Sequence, residues 1–179
     1  LATGRLAPQK GLECLLEATS AIAGQLGSVV KVFLAGSGPL EESLRRQSRH
    51  LAIDDQVAFL GFRSDIADLL GASDIVVLPS LREGLSIALL EAMAAGKAII
   101  TTGIGSNREV LEHDTSALLV PPGSVEALAD AILCLARDSD ARTRLGRSAR
   151  KRYLDSYTEE RMLDAYSALY DELYERNVV

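Results

Sequence analysis

The chain has 179 residues, 47% of them hydrophobic and 25% charged, the balance of a globular domain and not of a disordered or fibrous chain. Its 19 Lys and Arg stand against 25 Asp and Glu, a net charge of -6, and with 4% aromatics and no Trp this counts against a general nucleic-acid binder. No apolar stretch approaches the roughly 20 residues needed to span a bilayer, no signal-peptide pattern is visible, and the two histidines, His50 and His113, are too few and too far apart for most histidine-based metal sites.

In chain order, short apolar runs alternate with helix-like stretches. Leu1-Ala2-Thr3-Gly4 reads as the end of a strand cut short at its start, and a helix is predicted over Leu12–Leu26. Strands follow at Val29–Ala35, Val57–Leu60, Ile75–Leu78, Ala98–Thr102 and Ala117–Val120. Helices are predicted at Leu40–Leu51, Asp65–Ala72, Leu85–Ala95, Arg108–His113 and Val125–Arg137. Parallel strands need long crossover connections, so this alternation predicts an α/β domain: a parallel sheet with helices on both faces. Cys14 and Cys134 stand alone in apolar helical patterns and read as reduced core residues.

From Ala141 two charged helices are predicted, Ala141–Ser156 and Thr158–Arg176, with no strand after them. Tyr166, Leu169, Tyr170 and Leu173 recur at helical spacing, so one face of the last helix should be packed. It either covers this domain or docks on a segment outside the sequence.

In an open parallel sheet, ligands bind where strand ends lead into helices. Three loops qualify. Gly4-Arg5-Leu6-Ala7-Pro8-Gln9-Lys10-Gly11 sets two cations around a turn before a helix N-terminus, an arrangement suited to a diphosphate or simply to a solvated turn. Gly36-Ser37-Gly38-Pro39 would let a backbone approach a ligand, but Glu41 stands where a third dinucleotide glycine belongs, and Gly103-Ile104-Gly105 fails in the same way at Arg108. No phosphate-loop signature is present.

The third loop, Pro79-Ser80-Leu81-Arg82-Glu83-Gly84, leads into an apolar helix in which Glu91 is the sole charge. A buried carboxylate needs hydrogen-bond donors. Along a continuous helix Glu83 and Glu91 would stand about 12 Å apart, a separation suited to two hydroxyl groups flanking a diphosphate. The plain alternative is that Glu83 favours the helix dipole and Glu91 lies on an exposed stripe. Asp138-Ser139-Asp140 has metal-binding spacing but sits between two late helices, where such residues are good caps.

Taken together, Gly4-Arg5-Leu6-x3-Lys10-Gly11, Gly36-Ser37-Gly38-Pro39, Phe59-Leu60-Gly61-Phe62 and Glu83-Gly84-x6-Glu91-Ala92-Met93-Ala94-x-Gly96 occur in one order. This resembles the C-terminal donor-binding domain of the large retaining glycosyltransferase family that includes sucrose synthase, glycogen synthase and bacterial mannosyltransferases. The resemblance covers nearly the whole chain. It implies one Rossmann-like half of the two-domain GT-B fold, with residues 1–179 as the donor half and an acceptor domain missing.

By the same resemblance Arg5 and Lys10 would clamp the donor diphosphate and Glu83 would meet hydroxyls of the donor sugar. Backbone N–H groups at Gly84, Leu85 and Ser86 would hold sugar and phosphate oxygens, and Glu91 the ribose hydroxyls. Gly61, Phe62 and Arg63 would frame the nucleobase, while Gly4, Gly36 and Gly38 line the donor. The family needs no metal and no cofactor beyond the nucleotide-sugar co-substrate, and its reaction keeps the anomeric configuration. A cytoplasmic location is expected, with membrane contact only through the missing half. Ser86 where many relatives carry Pro, and Ala98-Ile99 for a common Pro-Val, depart from the pattern. Two rivals stand beside this reading: a nucleotide-binding module without catalysis, and a nicotinamide-dependent oxidoreductase, which the failed glycine fingerprints oppose.

Overall fold

The computed structural model describes residues 1–26 and 30–177. Among the described residues six parallel strands carry the fold: β1 (Ala2–Thr3), β2 (Val32–Ala35), β3 (Val57–Gly61), β4 (Ile75–Leu78), β5 (Ala98–Thr102) and β6 (Leu118–Val120). Pairing runs β1-β2-β3 on one side and β4-β5-β6 on the other. Leu1 joins the two halves: its nitrogen donates to the Ile75 carbonyl at 2.9 Å and its carbonyl accepts from Val77 N–H at 2.9 Å. The spatial order is therefore 3-2-1-4-5-6, with the direction of winding reversing between β1 and β4. A ligand crevice is expected above that reversal.

The central strands β1, β4 and β5 are buried on both faces, whereas β2 exposes Phe33 and β3 is half-buried, and the alternating side chains feed two cores. Ala2, Val77, Ala98 and Ile100 face the layer of α1 (Leu12–Leu26), α2 (Glu41–His50) and α6 (Val125–Arg137). Leu1, Val76, Leu78 and Ile99 face the layer of α3 (Ile66–Gly71), α4 (Ile87–Ala94) and α5 (Gly105–Val110). α7 (Ser139–Ser156) closes over both, with Leu145 in the first core and Ala149 in the second. Where α7 crosses the end of α4 there is no room for a side chain: a Cβ on Gly146 would lie 2.1 Å from the Gly96 carbonyl oxygen.

The predicted order of elements holds, and the differences are local. Val29, the first residue of the second predicted strand, lies outside the described residues. α4 starts at Ile87 rather than Leu85, because Ser86 is extended at φ -83°, ψ 116°. α5 starts at Gly105 and ends at Val110, since Leu111 turns extended and leaves His113 to pair with Ala117. The carboxylate of Asp138 accepts from Ala141 N–H at 2.8 Å and caps α7, as expected of that cluster.

Two expectations fail. Cys134 is exposed and is not a core residue, whereas Cys14 is half-buried and packs against the first core; α6 turns its Leu128–Leu135 stripe inward and Cys134 falls on its outer side. The last helix, α8 (Glu159–Asn177), does not cover this domain: Met162, Leu163, Tyr166, Leu169 and Tyr170 are all exposed. The physical reason is that both sheet faces are already covered by the preceding seven helices.

Candidate functional site

Above the β1/β4 reversal lies a cleft of about 770 Å³. Its walls are the loops that leave β1, β2, β3 and β4, together with the first two turns of α4. Gly4, Arg5, Lys10, Gly36, Gly38, Phe62, Arg63, Glu83, Leu85, Ser86 and Glu91 all line it, so the fold gathers eleven predicted residues into one place. Gly61 and Gly84 flank the cleft without lining it.

The first loop continues as a short 3-10 turn, Pro8–Lys10, ended by Gly11 at φ 61° before α1 begins. A Cβ on Gly11 would meet the Pro79 carbonyl at 2.2 Å, which fixes the turn against the third loop. Leu81 N–H donates to the Gln9 carbonyl at 2.8 Å and strengthens the same junction. Lys10 and Glu83, from these two loops, meet directly: Lys10 Nζ donates to Glu83 Oε2 at 2.6 Å. Arg5 is exposed and has no ion pair among the described residues.

The glycines of the second loop line the cleft and have a packing role besides. A Cβ on Gly36 would stand 1.9 Å from the Gly4 carbonyl oxygen, and one on Gly38 2.3 Å from that of Leu6. Their bareness lets the first two loops lie backbone to backbone, with Leu6 N–H donating to Ser37 at 2.9 Å and Leu40 N–H donating back to Leu6 at 3.0 Å. Gly36 N–H reaches on to the Gly61 carbonyl at 2.7 Å, tying in the third strand end. Phe62 projects beside the cleft, 81% exposed, and Arg63 is held by an ion pair to Asp65.

Glu83 is braced from several sides. Ser80, itself buried, donates to Oε2 at 3.0 Å, and Ser106 Oγ donates to the Glu83 carbonyl at 3.1 Å. Thr102 Oγ1 in turn donates to the Ser80 carbonyl at 2.5 Å. Sequence reasoning missed Ser80, Thr102 and Ser106; in sequence they are ordinary hydroxyls at the ends of strands and in the first turn of a helix, and only the fold brings them together.

Glu91 is placed otherwise than expected. α4 buries Leu89, Ala92 and Met93, while Glu91 lies on the opposite, exposed stripe with Ile87 one turn earlier. That stripe forms the cleft wall. The carboxylate has no hydrogen-bond partner among the described residues, and partial burial at the wall raises its pKa above the ordinary carboxylate value. Because residues 84–86 are not helical, the 12 Å helical spacing assumed for the two glutamates does not apply. Ile87 and Ala88 join the lining unpredicted; the i, i+4 relation of Ile87 to Glu91 was the available signal.

Comparison with known proteins gives a consistent result. A family profile described as "Glycosyl transferases group 1" matches residues 1–152. The chain is 32% identical over 140 residues to N-acetyl-alpha-D-glucosaminyl L-malate synthase of Bacillus anthracis, covering 78% of this chain and 37% of that protein. It is 33% identical over 165 residues to the putative glycosyltransferase EpsD of Bacillus subtilis, covering 90% and 43%. Among solved structures, Anabaena HepE in complex with UDP superposes with a TM-score of 0.83 at 26% identity, over 93% of this chain and 48% of that one. The C-terminal domain of the group 1 family protein LpcC from Francisella tularensis matches with a TM-score of 0.80 at 26% identity, over 88% of this chain and 85% of that one. This chain thus spans about two-fifths of the curated relatives' length.

Proposed function

The chain belongs to the group 1 glycosyl transferases, and from that premise we propose that it is the donor-binding half of an enzyme that moves a sugar from a nucleoside-diphosphate sugar to an acceptor hydroxyl. The single observation that carries the reading is one cleft holding the cations Arg5 and Lys10, with Arg63 at its edge paired to Asp65, and the carboxylates Glu83 and Glu91, at the winding reversal of the sheet. The fold is that of one Rossmann-like half of a GT-B glycosyltransferase.

In this reading Arg5 and Lys10 take the diphosphate, whose charge they neutralise as it leaves. Glu91, unpartnered and partly desolvated, accepts from the ribose hydroxyls. Glu83, braced by Ser80 and Ser106, faces the sugar, with Leu85 and Ser86 offering backbone N–H groups. Gly61, Phe62 and Arg63 frame the base. Transfer keeps the anomeric configuration, the acceptor attacking on the face from which the diphosphate departs. The positive charge comes from side chains, so binding requires no metal. The exposed apolar stripe of α8 is the seat of the remaining part of the full-length protein, which the relatives' greater length leaves room for.

The test is titration of this polypeptide with UDP, ADP and GDP, UDP first because the HepE structure holds it, followed by transfer assays with the matching nucleotide sugars. One diphosphate should bind, and no transfer should occur, because a cleft open on one side neither excludes water nor positions an acceptor. Failure to bind any of the three would overturn the donor-site assignment. Steady turnover would overturn the division into halves, and full-length protein that binds without transferring would favour the stand-alone binding module.

A further inference from the structure

Lys10 and Glu83 are the two closest opposite charges in the cleft, 2.6 Å apart and 73 positions apart in sequence. Only 18% and 19% of their side chains is accessible, so the pair is formed well out of bulk water. Ser80 donates to the same Glu83 oxygen at 3.0 Å, and the Leu81–Gln9 backbone bond at 2.8 Å holds the two loops in register. The contact is a built one.

It creates a conflict inside the functional reading, on which this inference rests. The cation assigned to the diphosphate is already engaged by the carboxylate assigned to the sugar. An ammonium has three donors, but an anion drawn to Nζ brings its charge close to Oε2, and like charges at that range oppose each other. Arg5, exposed and unpaired, meets the incoming phosphates without this obstacle.

We propose that Glu83 is the resident counter-ion of Lys10, displaced as the donor enters and restored as the nucleoside diphosphate leaves, so that the pair disfavours the sugar-free diphosphate relative to the sugar-bearing donor. The sugar supplies the difference. Its hydroxyls donate to the carboxylate that Lys10 releases, whereas a free nucleoside diphosphate leaves that carboxylate facing the phosphates without donors from the ligand. Glu83 therefore acts on both ends of the reaction: it receives the sugar and, once the sugar is gone, competes the product off Lys10.

The experiment is calorimetric titration of UDP, ADP and GDP into the wild-type chain, Glu83→Gln, Lys10→Met and the double variant, with melting curves for each. Whichever diphosphate the wild type binds should bind Glu83→Gln about three- to tenfold more tightly, the fold-change expected for releasing a partly buried ion pair. Lys10→Met should weaken binding, and on that background Glu83→Gln should have no further effect. Glu83→Ala should act in the same direction as Glu83→Gln, so a folding defect in one variant leaves the other to decide. A wild type that binds none of the three removes the donor-site reading itself. A wild type that binds, with Glu83→Gln unchanged or weaker, overturns the counter-ion role and leaves that reading standing. Tightening that persists without Lys10 also overturns it, assigning the effect to Glu83 alone.

Discussion

Gly36 and Gly4 touch through their backbones: a Cβ on Gly36 would lie 1.9 Å from the Gly4 carbonyl oxygen, and Gly36 has φ +146°. The second loop is therefore part of the wall that shapes the first, its glycines packing against Gly4 and Leu6 on either side of Arg5. Gly36→Ala should destabilise the fold by about 1–3 kcal/mol through overpacking and backbone strain. It should also weaken diphosphate binding. Gly84, with no atom within 4 Å of its would-be Cβ, is the control, and Gly84→Ala should melt within a few degrees of wild type. Thermal denaturation of the pair checks this; equal losses would show that the loop contact is not what matters.

Glu91 yields a pH prediction. Its carboxyl is raised by desolvation in the donor-free protein, so the ionised form opposes folding there. Any stability tied to its neutral form is complete below the ordinary carboxylate pKa and is lost as pH rises through the raised one. Glu91→Gln should accordingly melt at or above the wild-type temperature at neutral pH, with the difference closing on acidification. A lower melting temperature at neutral pH would contradict it.

Ligand binding reverses that balance. Hydroxyl donors stabilise the carboxylate, so diphosphate affinity should fall as pH drops through the Glu91 titration. Glu91→Gln should flatten that dependence and cost about 1–3 kcal/mol of binding at neutral pH. Isothermal titration across pH 4 to 8, in wild type and variant, measures both effects.

Metal dependence can be checked directly. Arg5, Lys10 and backbone N–H groups supply the positive charge in the proposed site, and among the described residues no three His, Cys, Asp or Glu side chains converge. Affinity for the bound diphosphate should be the same in magnesium and in chelator at constant ionic strength, and should weaken as salt is raised. A large loss in chelator alone would show that the charge accounting is wrong.

α8 offers a test of a different kind. Leu163 and Tyr170 are 57% and 68% exposed, so Leu163→Ser with Tyr170→Ser should leave the melting temperature of this chain within about 2 °C of wild type. In the full-length protein, where the stripe is proposed to be covered, the same double change should lower it clearly. Comparison of the two melting shifts decides the matter; equal shifts would place the stripe in solvent in both.

Much of the site was legible before folding, for a physical reason. Parallel strands buried on both faces leave only their carboxyl ends for chemistry, so charged and glycine residues just past Thr3, Ala35, Leu60 and Leu78 could be picked out from order alone. Glu91 shows the limit. An apolar helix with one charge looked buried all round, yet α4 turns Ile87 and Glu91 outward because its buried stripe is Leu89, Ala92 and Met93. Composition states how apolar a helix is; which side meets the sheet depends on where the helix starts, and Ser86 moved that start.

The sequence by itself determined the α/β alternation, the loops that line the cleft, the cap at Asp138 and the residue types gathered in those loops, because these rest on local periodicity and on the chemistry of short segments. Only the tertiary structure decided that Lys10 is already paired with Glu83, that Gly36 and Gly38 serve a neighbouring loop, and that α8 stands uncovered. Each of these is a contact, or the lack of one, between segments far apart in the chain. Distances of that kind are set by how the winding reverses between β1 and β4, and no stretch of residues read alone contains them.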